Sequence, residues 1–118
     1  MTECVFCQIV AGQAPATVKA DGISSIMIEP LNPVVDGHLL VIPRDHVADA
    51  YENPSVTATA AFDAAQWAKM ISWRDPRYES VNIITSVGEP ATQSVFHLHL
   101  HIVPRRAGDG LALPWSTV

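Results

Sequence analysis

The sequence predicts an α+β domain in which an antiparallel sheet carries one long helix on one face. Short segments rich in apolar and β-branched residues lie on both sides of a single stretch with helical periodicity, residues 54–73. The dipeptide Asp21-Gly22 lies between two of these segments and favours the tight turn of an antiparallel hairpin. With 118 residues, of which 48% are hydrophobic, the chain is long enough for one domain with an ordinary core.

The strands are predicted from the turn residues that separate apolar segments along the chain. Five segments are predicted as strands: 16–20, 24–29, 38–42, 80–86 and 94–103. Pro43 and Pro104 end two of them, because proline cannot donate to a sheet ladder. The domain is expected to span residues 1–106, followed by an irregular C-terminal extension over residues 107–118.

The helix is predicted to start at a defined place, because Asn is a good N-cap and Pro is tolerated at the first helical position. Asn53-Pro54 provides this pair, and apolar residues then recur at helical spacing: Val56, Ala60, Ala64, Trp67 and Ile71. Three more apolar residues lie partly off this stripe: Phe62, Met70 and Trp73. We expect these three in the core, and a dimer contact is the alternative.

Charge and hydropathy exclude several classes of partner. The net charge is −5 and the seven Lys and Arg residues form no basic run, so binding to a nucleic-acid polymer is not expected. No segment approaches about 20 apolar residues, so no membrane-spanning helix is expected. The N-terminus shows no secretory signal, which predicts a cytoplasmic protein in a reducing compartment.

Three histidines alternate in the last predicted strand: His97, His99 and His101. Because side chains alternate across a strand, we expect the three imidazoles on one face. The intervening residues would then pack on the helix: Phe96, Leu98, Leu100 and Ile102. A solvated strand face is the plain alternative. Three imidazoles favour reactive chemistry instead, because histidine titrates near neutral pH and acts as a base, nucleophile or metal ligand.

Two cysteines, Cys4 and Cys7, form a Cys-x-x-Cys pair at the start of the chain. In a reducing compartment such a pair is typical of a metal clip or a redox pair. Two thiolates can hold one side of a tetrahedral zinc site, and His46 with one histidine of the triad can complete it. A redox motif of the thioredoxin type would follow a strand, whereas this pair precedes all predicted strands.

The run from His97 to Val103 resembles the signature of the histidine triad (HIT) family of nucleotide hydrolases and transferases. Further segments resemble that family in the same order along the chain: residues 4–16, 32–33, 36–46, 93–94 and 104–105. Several separate motifs in order are far more specific than one short match. The Cys-x-x-Cys opening is similar to that of the zinc-binding members.

The resemblance implies a five-stranded antiparallel sheet with one long helix, a short N-terminal helix and a homodimer. It also implies that His99 attacks the α-phosphorus of a mononucleotide or dinucleotide. The product of that attack is a covalent nucleotidyl-histidine, which water then hydrolyses. A nucleotidyltransferase or phosphorylase with the same intermediate is one alternative, and a nucleotide-binding module with little catalysis is another.

Roles for individual residues follow from the same resemblance. The catalytic set is His97, His99, His101 and Ser94, with Ser94 hydrogen-bonding near the leaving group. The implied substrate contacts are Gln93 and His101 at the α-phosphate, Ser86 at phosphate or sugar, Leu31 at the base, and His38 in support. The implied zinc ligands are Cys4, Cys7, His46 and His97. That zinc would be structural, because four protein ligands leave no open position.

Three positions depart from the pattern of the family. Pro30 stands where an acidic residue often binds the ribose hydroxyls, Ser86 replaces a frequent Asn, and Thr92 replaces a usual Gly. These changes bear on ribose recognition, and they leave the phosphate-binding residues in place. They motivate the binding-module alternative.

Overall fold

The computed structural model describes residues 4–116, and it contains the predicted α+β architecture. The sheet is antiparallel throughout, with strand order β1-β2-β3-β5-β4. The elements in chain order are α1 Val5–Val10, β1 Val18–Asp21, β2 Ser25–Ile28, β3 Leu39–Pro43, α2 Pro54–Ser72, β4 Val81–Ile84 and β5 Leu100–Pro104. Two short 3-10 turns, Pro76–Tyr78 and Glu89–Ala91, precede and follow β4.

Helix α2 begins where the sequence predicts, because the Asn53 side chain accepts a hydrogen bond of 3.1 Å from the Ser55 N–H. Its buried stripe is made of small residues, Ala60, Ala64 and Ala68. These let the helix lie close to the sheet, over a core of Met27, Leu39, Val41, Leu98, Leu100 and Ile102. Neither helix of the described chain has the length and apolar character needed to cross a membrane.

The opposite face of the sheet carries a smaller cluster. It consists of Phe6 from α1 with Ile26, Ile28, Leu40 and Ile42 from the two central strands. Because α1 has only six residues, it covers this face incompletely. The uncovered part of the face opens to a cavity lined by His38, His99 and His101.

The last strand is shorter than predicted, since it begins at Leu100 and not at residue 94. The register Val41↔Leu100 would place Leu98 opposite Pro43, which has no N–H for a ladder bond. The Leu98 N–H instead donates to the Val47 carbonyl over 2.7 Å. On the β4 side, the Thr85 hydroxyl caps the His99 carbonyl over 2.8 Å.

The predicted alternation of side chains over residues 94–103 is found only in part. Leu98, Leu100 and Ile102 pack under α2 as predicted. Phe96 is 49% exposed, so the prediction that it packs on the helix is wrong, because the chain has left the sheet at that point. The expectation of core positions for Phe62 and Met70 of α2 and for Trp73, which follows the helix, is also wrong, since all three are exposed.

Beyond β5, residues 105–116 contain no helix or strand. Arg105 ties this segment to the sheet: its guanidinium donates to the Asp109 carboxylate over 2.7 Å and to the Asn82 side chain of β4 over 2.6 Å. A third bond reaches the Leu111 carbonyl over 2.7 Å. The hydrogen bond from Arg105 holds the pKa of Asp109 well below its usual range.

Thr92 provides a test of local strain, because its φ of 74° is the only positive value at a non-glycine residue between residues 4 and 116. A β-branched side chain in this region is strained, whereas glycine adopts it readily. Thr92→Gly should therefore raise the free energy of unfolding by about 0.5–1 kcal/mol in urea denaturation. Thr59→Gly, in the middle of α2, should lower it instead. Equal destabilisation by both changes would contradict this assignment.

Candidate active site and metal-binding cluster

A cavity of about 790 Å³ opens on the sheet face opposite α2. One end is polar and contains His38, His99, His101 and Ser94, while most of the remaining lining is apolar. The apolar lining comes from α1, from β2 and β3, and from the loop that follows β2. No lysine or arginine lines the cavity within the described chain.

His99 is held by its own neighbourhood in the orientation and tautomer of a nucleophile. Its Nδ1 lies 2.8 Å from the His97 carbonyl oxygen, which can only accept, so Nδ1 carries the proton. The other nitrogen, Nε2, then carries a lone pair. Burial lowers the pKa of His99 below the ordinary histidine value, so the imidazole is neutral at neutral pH.

A chain of hydrogen bonds fixes the tautomer of His101 in the opposite sense. The Val34 N–H donates to His38 Nδ1 over 3.1 Å, so neutral His38 carries its proton on Nε2. That nitrogen lies 2.9 Å from His101 Nδ1 and donates to it. His101 therefore keeps its own proton on Nε2, as a donor in the cavity. Burial first, and then His99 and His38, lower the pKa of His101 to about 4.

Of the other residues implied at the substrate, Ser94 and Leu31 line the cavity and Ser86 does not. Ser94 lines the cavity beside the histidines, and Leu31 lies at its rim with 96% of its surface exposed. Ser86 is partly buried and outside the lining. At the rim, Pro30 is accompanied by Glu29, whose carboxylate pairs with Lys19 over 3.7 Å.

Gln93 lies outside the cavity lining and is only 4% exposed. Its amide nitrogen donates to the Ala48 carbonyl over 2.7 Å and to the Val95 carbonyl over 3.1 Å. Its amide oxygen accepts from the Gly88 N–H over 2.9 Å. Both amide protons are used by the protein, so the side chain fastens the loop before His97 to residue 48.

The four predicted metal ligands come together in one cluster: Cys4, Cys7, His46 and His97. Cys7 Sγ lies 3.1 Å from His46 Nδ1, and Cys4 Sγ lies 3.3 Å from His97 Nδ1. The Nδ1 atoms of His46 and His97 are only 3.1 Å apart. A tetrahedral zinc with Zn–N bonds of about 2.0–2.1 Å sets two nitrogens about 3.3–3.4 Å apart, so the donor set fits a tetrahedral metal.

His97 is oriented toward this cluster by a backbone acceptor. Its Nε2 lies 2.8 Å from the Pro43 carbonyl oxygen, so Nε2 carries the proton and Nδ1 has the lone pair. A ligating histidine is usually fixed in this way by its second nitrogen. The side chain is fully buried, with the ring of Phe6 packed edge-on at 5.9 Å.

Sequence reasoning missed the contribution of α1 to the cavity. Val5, Phe6 and Ile9 line it, and the Phe6 ring contacts the His99 ring edge-on at 5.1 Å. The signal was present in the apolar residues that follow Cys4 in helical spacing. Only the folded chain shows that this short helix lies against the histidines.

Comparison with known proteins gives the family of the chain. The sequence profile of the HIT domain matches residues 11–108. The chain belongs to the HIT family. Its HIT domain is similar to a crystal structure described as a Zn-bound histidine triad family protein from Mycobacterium smegmatis, with 38% identity and a TM-score of 0.85. That match covers 93% of this chain and 80% of the other.

Two further relatives are similar to this chain over nearly its whole length. A Bacillus subtilis protein named "Protein hit" is 37% identical over 118 residues, covering 97% of this chain and 79% of the relative. An adenosine 5'-monophosphoramidase from Schizosaccharomyces pombe is 31% identical over 115 residues, covering 97% and 84%. The Cys-x-x-Cys pair precedes the matched HIT domain, whereas His46 and His97 lie within it.

The hydrogen-bond chain through His38 makes a prediction about pH. Because the pKa of His101 is lowered to about 4, its ring should stay neutral between about pH 8 and about pH 5. Long-range ¹H–¹⁵N NMR should show His101 as the Nε2–H tautomer over that range. If His101 titrates near the ordinary histidine pKa, or carries its proton on Nδ1, the hydrogen-bond chain from Val34 through His38 to His101 is excluded. In a His38→Ala variant the tautomer should no longer be fixed.

Proposed function

We propose that this HIT protein is a nucleotide phosphate hydrolase that works through a covalent nucleotidyl-histidine on His99. One observation carries the proposal: His99 Nδ1 is tied to the His97 carbonyl, which leaves Nε2 as the nucleophile in the cavity. The monophosphoramidase activity in the name of the Schizosaccharomyces pombe relative supports the same class of reaction.

In the first step, the Nε2 lone pair of His99 attacks the α-phosphorus and the bond from phosphorus to the leaving group breaks. His101 donates its Nε2–H to a phosphate oxygen, and the Ser94 hydroxyl hydrogen-bonds near the leaving group. In the second step, water attacks the same phosphorus, and the bond to Nε2 breaks. Donors fixed before the reaction stabilise the charge on the phosphate oxygens without reorganisation.

The apolar part of the cavity fits a nucleobase, with Leu31 at the rim and the α1 residues beside the histidines. Gln93 receives a supporting role, because a phosphate contact would cost one of its three hydrogen bonds to the backbone. It holds the loop that presents Ser94. Ser86 stays a proposed contact to phosphate or sugar from outside the present lining.

The metal cluster is assigned to structural zinc, which links the N-terminal segment to the start of the triad. Its four protein ligands leave no position for water or substrate, so the metal takes no part in the phosphate chemistry. We also infer a homodimer from the resemblance, with Phe62 and Met70 on α2 and Trp73 directly after it as exposed apolar side chains.

The zinc assignment predicts about one zinc per chain by elemental analysis of the purified protein, because four ligands form one tetrahedral site. The double variant Cys4→Ser, Cys7→Ser should lose the metal and melt at a lower temperature. His101→Ala should keep it, since this histidine lies outside the cluster. A purified wild-type protein that contains no metal, and that melts at the same temperature after zinc is added, would refute the assignment.

The catalytic assignment predicts that His99→Ala lowers kcat by at least about 10³-fold on adenylated phosphoramidates and phosphoanhydrides, because no other group forms the intermediate. Wild type denatured at alkaline pH, where the bond between phosphorus and histidine nitrogen survives, should carry one nucleotidyl group by mass spectrometry, and the variant none. Gln66→Ala, exposed on α2, should behave as wild type.

Three other outcomes of the same experiment each overturn a part of the proposal. Unchanged rates in His99→Ala would exclude this residue as the nucleophile. Tight binding of adenosine monophosphate with no turnover of any substrate would make the protein a binding module. Transfer of the nucleotidyl group to added inorganic phosphate, in preference to water, would make it a phosphorylase.

A further inference from the structure

Helix α1 belongs to two sites at the same time. Cys4 precedes its first residue and Cys7 lies within it, so both cysteine ligands of the metal cluster move with this helix. Val5, Phe6 and Ile9 of the same helix form a wall of the cavity. A change in the position of α1 therefore changes both the cluster and the cavity.

The helix has few other means of staying in place. A helix of six residues is unstable by itself, because the cost of nucleation is spread over too few hydrogen bonds. Phe6 is the one residue of α1 that is buried, while Ile9 and Val10 are partly buried against the same apolar cluster. The position of α1 thus depends on this one small cluster and on the ligands at its N-terminal turn.

The ligand atoms lie close enough together to share one cation. The Nδ1 atoms of His46 and His97 are 3.1 Å apart, and the Cys7 sulfur lies 3.1 Å and 3.5 Å from these two nitrogens. A metal bound among them would join the two cysteines, and with them α1, to His46 and His97. Without the metal, α1 would lose this link.

Phe6 connects this movement to the nucleophile. Its ring lies edge-on to His97 at 5.9 Å and to His99 at 5.1 Å, between the metal ligand and the reacting imidazole. Phe6 is buried in contact with both and also lines the cavity. A displaced α1 takes this ring away from His99 and opens the wall that faces the nucleotide.

We propose that metal binding and nucleotide binding are coupled through α1, with Phe6 as the positioning residue. The metal holds the helix against the histidines, and a nucleotide bound in the cavity packs against the same helix. By linkage, each ligand raises the affinity for the other by the same factor. The inference rests on the proposed function, since it needs a nucleotide in the cavity.

Calorimetric titration with adenosine monophosphate tests the coupling on zinc-loaded and metal-free protein. The metal-free protein should bind the nucleotide about 5- to 150-fold more weakly, the usual range of coupling between two sites. Competition with a chelator should show that saturating nucleotide raises the zinc affinity by the same factor. Neither measurement depends on turnover.

A second measurement uses only the zinc-loaded protein, in case the metal-free chain unfolds. Saturating adenosine monophosphate should slow the release of zinc to a chelator. Phe6→Leu keeps all four ligands and should bind one zinc, yet the effect of the nucleotide on zinc release should be smaller. Ile23→Ala, a 97% exposed position in the turn between β1 and β2, is the matched control and should behave as wild type.

The outcomes separate the coupling from the function on which it rests. Equal nucleotide affinity with and without zinc, together with unchanged zinc release, would overturn the coupling and leave the hydrolase proposal intact. Absence of nucleotide binding in both forms would overturn both. A coupling of full size in Phe6→Leu would exclude Phe6 as the positioning residue.

Discussion

The imidazole of His97 is fixed from both sides, and much of the site follows from that constraint. Nε2 donates to the Pro43 carbonyl at the end of β3, and Nδ1 faces the two cysteines and His46. The backbone carbonyl of His97 accepts from His99 Nδ1 and so sets the tautomer of His99. One buried residue thus joins a sheet strand, the metal-ligand cluster and the imidazole of His99.

Local signals in the sequence were sufficient for the fold class, whereas the choice of His97 as the fourth metal ligand came from the resemblance to the HIT family. The Asn53 cap and the apolar stripe predicted α2, and the fold class is confirmed. The start of β5 was not predictable in this way, because it depends on pairing with Pro43, a long-range event. The same holds for Gln93, whose partner at residue 48 is 45 positions away in the sequence.

The histidines of the cavity are neutral donors and acceptors, without lysine or arginine in the described lining. Two backbone groups define their protonation: the Val34 N–H sets His38, which in turn sets His101, and the His97 carbonyl sets His99. Burial lowers the pKa values of these histidines, so the pattern of donors and acceptors does not change near neutral pH. An arrangement of this kind is preorganised, since the protein has already met the cost of orienting each ring.

The bonds from Arg105 to Asp109, Asn82 and Leu111 have a practical consequence for anyone who labels this protein. They anchor residues 109–111 to the edge strand β4. A fluorophore attached at an exposed position beyond this anchor, such as Trp115, would therefore pull on the anchor before it pulls on β5. Such a label also lies outside the lining of the histidine cavity, whereas one near Cys4 would disturb the ligand cluster.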